Sequence, residues 1–297
     1  MRVLIAGSSG LIGRELTKQL ELRGDQVVRL VRRAVSGASE IEWDPQSNQL
    51  APGALSNIDV VVNLAGASIG KIPWTKKYKT ELVDSRLNST KTLARAINET
   101  ENSVSVFVSA SGSGFYGDTR DKTAVETDIM GAGFLAELCG KWEFAAQTVK
   151  PTVRLILLRT GIVLAPKEGA LSRLLPLIKL GVGGPLGSGK QFWSWITLRD
   201  EVRAIIHLID TPSASGAFNL AAAEAATNQQ LVRALANELG RPAMVPAPAF
   251  ALRLALGEAA DELLLCNQRM SSQKLAATGF EFQDANLGSA AHWVVNQ

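Results

Sequence analysis

The stretch 2-RVLIAGSSGLIG-13 restricts the fold more than any other part of this chain. Its first half is a short β-branched apolar run, the pattern of a strand buried on both faces of a parallel sheet. Its second half places glycines at 7, 10 and 13, where the strand passes into the amphipathic run of residues 11–23. Each glycine has its own task. Gly7 permits the tight turn out of the strand, Gly10 lets the backbone approach a pyrophosphate, and Gly13 lets the helix lie close to the strand. Leu11 and Ile12 open the helix, so their amides join the set that stabilises an anion at a helix N-terminus. Glycines alone are a weak signal. With the strand before and the helix after, they are a strong one for a dinucleotide site.

The pattern then repeats. Residues 26–32, 58–66, 103–111 and 153–164 read as strands, with a short one at 40–43, and residues 75–99 and 131–149 read as helices. This alternation predicts an α/β fold, a Rossmann-like, NAD(P)-binding, doubly wound parallel sheet whose ligands bind at the strands' carboxyl ends. After residue 165 glycine and proline become frequent, as in 181-GVGGPLGSGKQF-192, and helical stretches follow at about 199–210, 227–239 and 249–265. The expected division is a nucleotide-binding domain over 1–165, to which residues near 190–225 return, and a smaller, mainly helical substrate lobe over 166–297.

Bulk properties exclude several classes. Thirty-one basic against 28 acidic residues give a net charge of +3, and the densest basic cluster, 76-KKYK-79, is followed by Glu81 and Asp84. No nucleic-acid footprint is present. Two cysteines and two histidines, far apart, give no metal site or disulfide framework. No apolar run is long enough to cross a bilayer, and residues 1–13 do not read as a signal peptide. The expectation is a cytoplasmic protein with a small-molecule substrate and no membrane partner. The apolar lobe around Pro246, Pro248, Phe250 and Leu252 is a candidate homodimer face.

The choice of nucleotide turns on the end of the second strand. A site selective for NAD places an Asp or Glu there, whereas 27-VVRLVRR-33 ends in Arg32 and Arg33. A guanidinium suits a 2′-phosphate through paired hydrogen bonds, which favours NADP(H). The alternative is solvated surface charge, and Arg33 is the better candidate for that. The small residues Leu64, Ala65 and Gly66, at the end of the next strand, let a cofactor lie against backbone. Ser109 and Ser111 end the strand after it. Ser111 stands near a nicotinamide or else caps a turn. In 190-KQFWSWIT-197, Trp193 and Trp195 either stack on a substrate ring or seal the lobes together.

By these residues the chain resembles the short-chain dehydrogenase/reductase superfamily, atypical or extended branch, and more narrowly the YfcH-type epimerase family proteins. The resemblance is carried by 7-GSSGLIG-13, 63-NLAGASI-69, 85-SRLNSTKTLARAI-97, 109-SASGSGFYG-117, 142-WE-143, 159-RTGIVLAPKEGAL-171, 180-LGVGGPLGSGKQFWSWI-196, 240-GRPAMVPAPAFALRLALGE-258 and 262-ELLLCNQR-269. It covers nearly the whole chain and implies an NADP(H)-type cofactor with a C-terminal substrate lobe. It also implies site roles for Ser111 and for Tyr116 of 116-YG-117. Ordinary members carry a Tyr and, four residues on, a Lys, which together move the proton. Registered on Glu143, those positions hold Leu135 and Cys139; registered on Lys141, the Tyr position holds Glu137. Neither register gives the pair. Tyr116, one of 2 tyrosines, and Glu137 are the replacements on offer. Glu137 is also placed to pair with Lys141 on its own helix. The expected function is an NADP(H)-dependent oxidoreductase or epimerase acting on a small or sugar-nucleotide-like substrate without the usual relay. The alternative is a non-catalytic NADP(H)-binding protein.

Overall fold

A computed structural model describes residues 1–100, 104–166 and 168–297. Ser103, which opens the strand expected at 103–111, and Lys167, within the 159–171 segment, lie outside the described residues. In the first half come β1 (Arg2–Ala6), α1 (Leu11–Leu22), β2 (Gln26–Val31), β3 (Glu40–Asp44), β4 (Gln49–Leu50), β5 (Val60–Asn63), α2 (Lys76–Glu99), β6 (Val106–Gly112) and α3 (Phe134–Ala146). The second half holds β7 (Arg154–Thr160), β8 (Ile162–Leu164), α4 (Leu174–Lys179), β9 (Phe192–Trp193), β10 (Trp195–Thr197), α5 (Leu198–Asp210), β11 (Gly216–Leu220), β12 (Ala226–Thr227), α6 (Asn228–Glu238) and α7 (Ala249–Leu256).

One sheet runs β11-β7-β6-β5-β1-β2-β3-β4, parallel except for the β3–β4 pair. Val3, Leu4, Ile5 and Ala6 are all fully buried, as a strand covered on both faces requires. The chain winds outward from β1 to β2 and β3, then crosses back to β5, β6 and β7. The order reverses between β1 and β5, which places the expected ligand crevice beyond their carboxyl ends. On one face Leu16 and Leu20 of α1 join Val202, Ile205 and Ile209 of α5. On the other, Leu93 and Ile97 of α2 meet Leu4, Val61 and Phe107.

Beyond β7 the chain leaves the sheet, returns to add β11 beside β7, and leaves again. Outside the sheet, α4, α6, Trp195 and a helix over Leu287–Val295 enclose a separate apolar core. Thr75, Thr197 and Thr227 cap α2, α5 and α6 with their hydroxyl oxygens.

Two helices depart from expectation, both at glycines. The helix expected over 249–265 ends at Leu256, because Gly257 takes φ +60, and a wider-wound turn follows at Asp261–Leu265. The helix expected from 131 starts at Phe134, because Gly133 takes φ +113. Among the described residues no helix is long and apolar enough to cross a membrane.

Candidate functional site

The crevice is lined first by the glycine turn. Gly7, at φ +85, lies so close to the end of β5 that a Cβ on it would meet the Leu64 carbonyl group at 2.7 Å and the Ala65 nitrogen at 2.8 Å. The Gly10 amide donates to the Gly7 carbonyl at 3.0 Å. A Cβ on Gly13 would fall 2.2 Å from that same oxygen, so only glycine lets α1 approach β1 this closely. No side chain caps α1 at Gly10, which leaves the first-turn amides of Leu11, Ile12 and Gly13 to an outside acceptor. A cradle of bare backbone, ending in helix amides, fits a dinucleotide pyrophosphate. Gly66 follows, exposed, with the Arg86 side chain packed beneath it.

The two arginines after β2 part company. Arg33 grips Glu40 with two hydrogen bonds of 2.8 and 2.7 Å. That contact and the Ser36 amide and hydroxyl lower the Glu40 carboxyl to about 2. Arg32 is exposed and has no ion pair among the described residues. It follows the carboxyl end of β2, the strand beside β1.

Ser111 and Tyr116 are brought together, but through buried partners. The Ser111 hydroxyl donates to Glu143 Oε1 at 2.7 Å. Arg159 holds the same carboxylate from two sides, Nε to Oε1 and Nη2 to Oε2, both at 2.9 Å. Its Nη1 donates to the Tyr116 hydroxyl at 2.9 Å, and that hydroxyl donates to Asn219 Oδ1 at 2.6 Å. The guanidinium also lies over the Phe115 ring, 3.5 Å from its centre. Burial outweighs the guanidinium's pull and raises the Tyr116 phenol to about 12, so it stays neutral at physiological pH.

Leu135 and Cys139 occupy one buried face of α3. Burial and Glu143 push the Cys139 thiol up to about 11. Glu137 and Lys141 form a solvent-exposed pair at 3.6 Å on the opposite side of the helix. Ser109 is fully buried within β6. Trp193 and Trp195 are 5% and 1% exposed, and the Trp193 indole donates to the Leu264 carbonyl at 3.1 Å. They seal the fold and leave no ring face for a substrate. Among the described residues no three His, Cys, Asp or Glu side chains form a metal site.

Sequence reading missed Arg159, Asn219 and Glu262. Arg159 had a usable signal, since it is the one charge inside 155-LILLRT-160 and a charge in a buried strand demands a partner. Asn219 had none, because its contacts to Tyr116, Ala124 and Ser271 are long-range. Glu262 caps α3 from 128 residues away, accepting from the Phe134 amide at 2.9 Å and the Leu135 amide at 3.1 Å.

Known proteins resemble this chain along its whole length. A profile of the NAD dependent epimerase/dehydratase family matches residues 3–221, and one of a domain of unknown function, DUF1731, matches residues 247–294. An epimerase family protein of Mycobacterium bovis is 42% identical over 289 residues, 97% of this chain and 95% of that protein. The crystal structure of human epimerase family protein SDR39U1 with NADPH superposes with a TM-score of 0.93 at 31% identity, covering 100% of both chains. A nucleoside-diphosphate sugar epimerase from Corynebacterium glutamicum gives a TM-score of 0.82 at 30% identity, covering 100% of this chain and 59% of that one.

Proposed function

The chain belongs to the NAD dependent epimerase/dehydratase family, in the short-chain dehydrogenase/reductase superfamily, and from that membership we propose an NADP(H)-dependent oxidoreductase or epimerase that works without a Tyr/Lys relay. Its substrate in this reading is small or sugar-nucleotide-like. The carrying observation is the glycine cradle at the sheet's switch point, with Arg32 after the end of β2, exposed and without an ion pair among the described residues. Gly7, Gly10, Leu11, Ile12 and Gly13 hold the pyrophosphate. Arg32 takes the 2′-phosphate. Leu64, Ala65 and Gly66 line the path toward the β6 end. The human relative with NADPH supports the same cofactor here. Bound there, NADP(H) supplies hydride transfer.

Within this proposal Ser111 and Tyr116 are the polar residues of the reaction end. A neutral phenol at about 12 acts as a donor and not as a base. To reach a substrate oxygen, Tyr116 exchanges its Asn219 partner for that oxygen, while Arg159 holds the phenol in place. The domain at 1–165 carries the cofactor, and the lobe beyond 166 carries the substrate-side wall.

One observation favours the second reading, a non-catalytic NADP(H)-binding protein. The hydroxyl protons of Ser111 and Tyr116 are both given to buried acceptors, and Cys139 is a sealed thiol. Cofactor binding is common to both readings and is measured first. NADPH and NADH are titrated by fluorescence against the wild type and Arg32→Ala. The expected result is NADPH at least about tenfold tighter, a difference of about 1.4 kcal/mol, with the gap lost in the variant. Equal affinities in the wild type would refute the phosphate assignment. A reductase screen with NADPH, comparing wild type, Ser111→Ala and Tyr116→Phe, then separates the readings.

A further inference from the structure

Arg86 carries a charge that the protein leaves unanswered. The residue is 9% exposed, yet it makes no ion pair among the described residues. Among the described residues the one hydrogen bond of its guanidinium runs from Nη1 to the Leu82 carbonyl of its own helix, at 3.0 Å. Burial lowers its pKa, and only the uncharged Cys139 and Tyr78 oppose that shift. A buried cation without an anion is a standing electrostatic cost, and natural chains retain such groups where a ligand completes them.

The guanidinium is fixed and aimed. On one side lies Gly66, where a Cβ would come within 3.1 Å of Arg86 Cγ and Cζ. The Trp142 ring lies 5.2 Å away by its centre, and its indole is itself anchored to Thr90 at 2.8 Å. Among the described residues the Nε and Nη2 donors have no partner, and neither atom is wholly sealed from solvent. Arg159 shows what that edge does in this protein, since its own Nε and Nη2 take the two oxygens of Glu143 at 2.9 Å each. The neighbourhood is the reaction end of the crevice. Gly66 is exposed after β5, and Cys139, next to Arg86, lies 3.9 Å from where a Gly112 Cβ would stand at the end of β6.

We propose that the Nε/Nη2 edge of Arg86 is a subsite for an anionic group of the substrate, a carboxylate by its fork geometry, so that the substrate class of this cleft is a small carboxylic acid or a carboxylate-bearing sugar. This rests on the cleft reading above. The edge presents two parallel donors to two carboxylate oxygens, and the missing Cβ of Gly66 lets the guanidinium pack close against the segment after β5. The bound anion neutralises the buried charge and orients the rest of the molecule toward the end of β6.

The test uses acetate as probe and acetamide as its uncharged counterpart, titrated calorimetrically at constant ionic strength, without and with saturating NADPH. Expected is saturable one-to-one acetate binding in the millimolar range, retained with NADPH, and acetamide at least tenfold weaker. Arg86→Gln loses the acetate site but keeps its affinity for NADPH within threefold. Without added anion, Arg86→Gln also melts a few degrees higher than the wild type, because an unanswered charge is gone. Arg86→Lys, which keeps the charge, retains weakened acetate binding and stands in if the Gln variant does not fold. Equal binding of acetate and acetamide, or undiminished acetate binding in Arg86→Gln, overturns the proposal. Acetate displaced by NADPH also overturns it, by assigning the charge to a cofactor phosphate. A wild type that takes acetate but no NADPH would sink the cofactor reading and leave Arg86 standing.

Discussion

Glu201 is the residue whose protonation most affects the fold. It is fully buried in the first turn of α5, with Oε1 accepting from Thr160 at 2.8 Å and Oε2 without a partner among the described residues. Burial raises its carboxyl from 4.5 to about 8. The folded chain therefore keeps this proton up to about pH 8, whereas the unfolded chain releases it near 4.5. Between those values the folded state binds more protons, so stability falls as pH rises, by up to about 1.4 kcal/mol per unit from this group. Urea melts at intervals from pH 5 to 8 measure it. Glu201→Gln is expected to flatten that slope and to be the more stable protein at pH 8; an unchanged slope would show that the carboxyl is ionised in the fold. Gly13→Ala acts by a different route, crowding the Gly7 carbonyl. It is expected to cost about 1–3 kcal/mol and at least tenfold in NADPH affinity. At this scale the close backbone approach at the glycines was legible because it depends on local sequence. Ser111 and Tyr116 were singled out and Arg159 stands out as a charge in an apolar strand, but their joining through Glu143 and Asn219 was not legible, because burial decides which polar groups must meet and long-range partners leave no local pattern.

At the scale of elements, α3 depends on a residue far along the chain. Its first amides are capped by Glu262, and Lys79 of α2 meets Glu258 of the same segment at 2.8 Å. Glu262→Ala is expected to cost about 1–2 kcal/mol in urea unfolding, the usual loss for a cap. Lys79→Ala, whose ion pair is half exposed, should cost under about 1 kcal/mol. If both cost the same, Glu262 acts as a surface charge and not as a cap. The strands and long helices could be read from apolar periodicity, since that pattern is the cause of their burial. The break at Gly257 could not, because good helix formers flank it on both sides within 249–265 and a single glycine inside such a run is often tolerated.

For the whole molecule, the segment 241–258 stands apart. None of its residues is buried, although Phe250 is 73% and Leu254 88% exposed. Phe250→Asp and Leu254→Asp should each change the stability of dilute protein by no more than about 0.5 kcal/mol. A larger loss that grows with protein concentration would mean that a second copy covers this face, and sedimentation would show the dimer. The parallel sheet was foreseeable from the βαβ alternation. The path of the second half was not, because β9, β10 and β12 are two- or three-residue strands paired across long separations.

That path also governs the order in which the molecule takes shape. The edge strand β11 and helix α5 lie some fifty residues after β7, yet Val202, Ile205 and Phe218 share one core with Leu16 and Leu20 of α1. A nascent chain that has just released β7 from the ribosome has built most of its sheet and still cannot cover one side of it. The cradle at residues 7–13 would then wait, during synthesis, for residues more than two hundred positions later, Leu275 and Phe280 among them. Long-range closure of this kind is slow, and it leaves a half-made sheet open to chaperones.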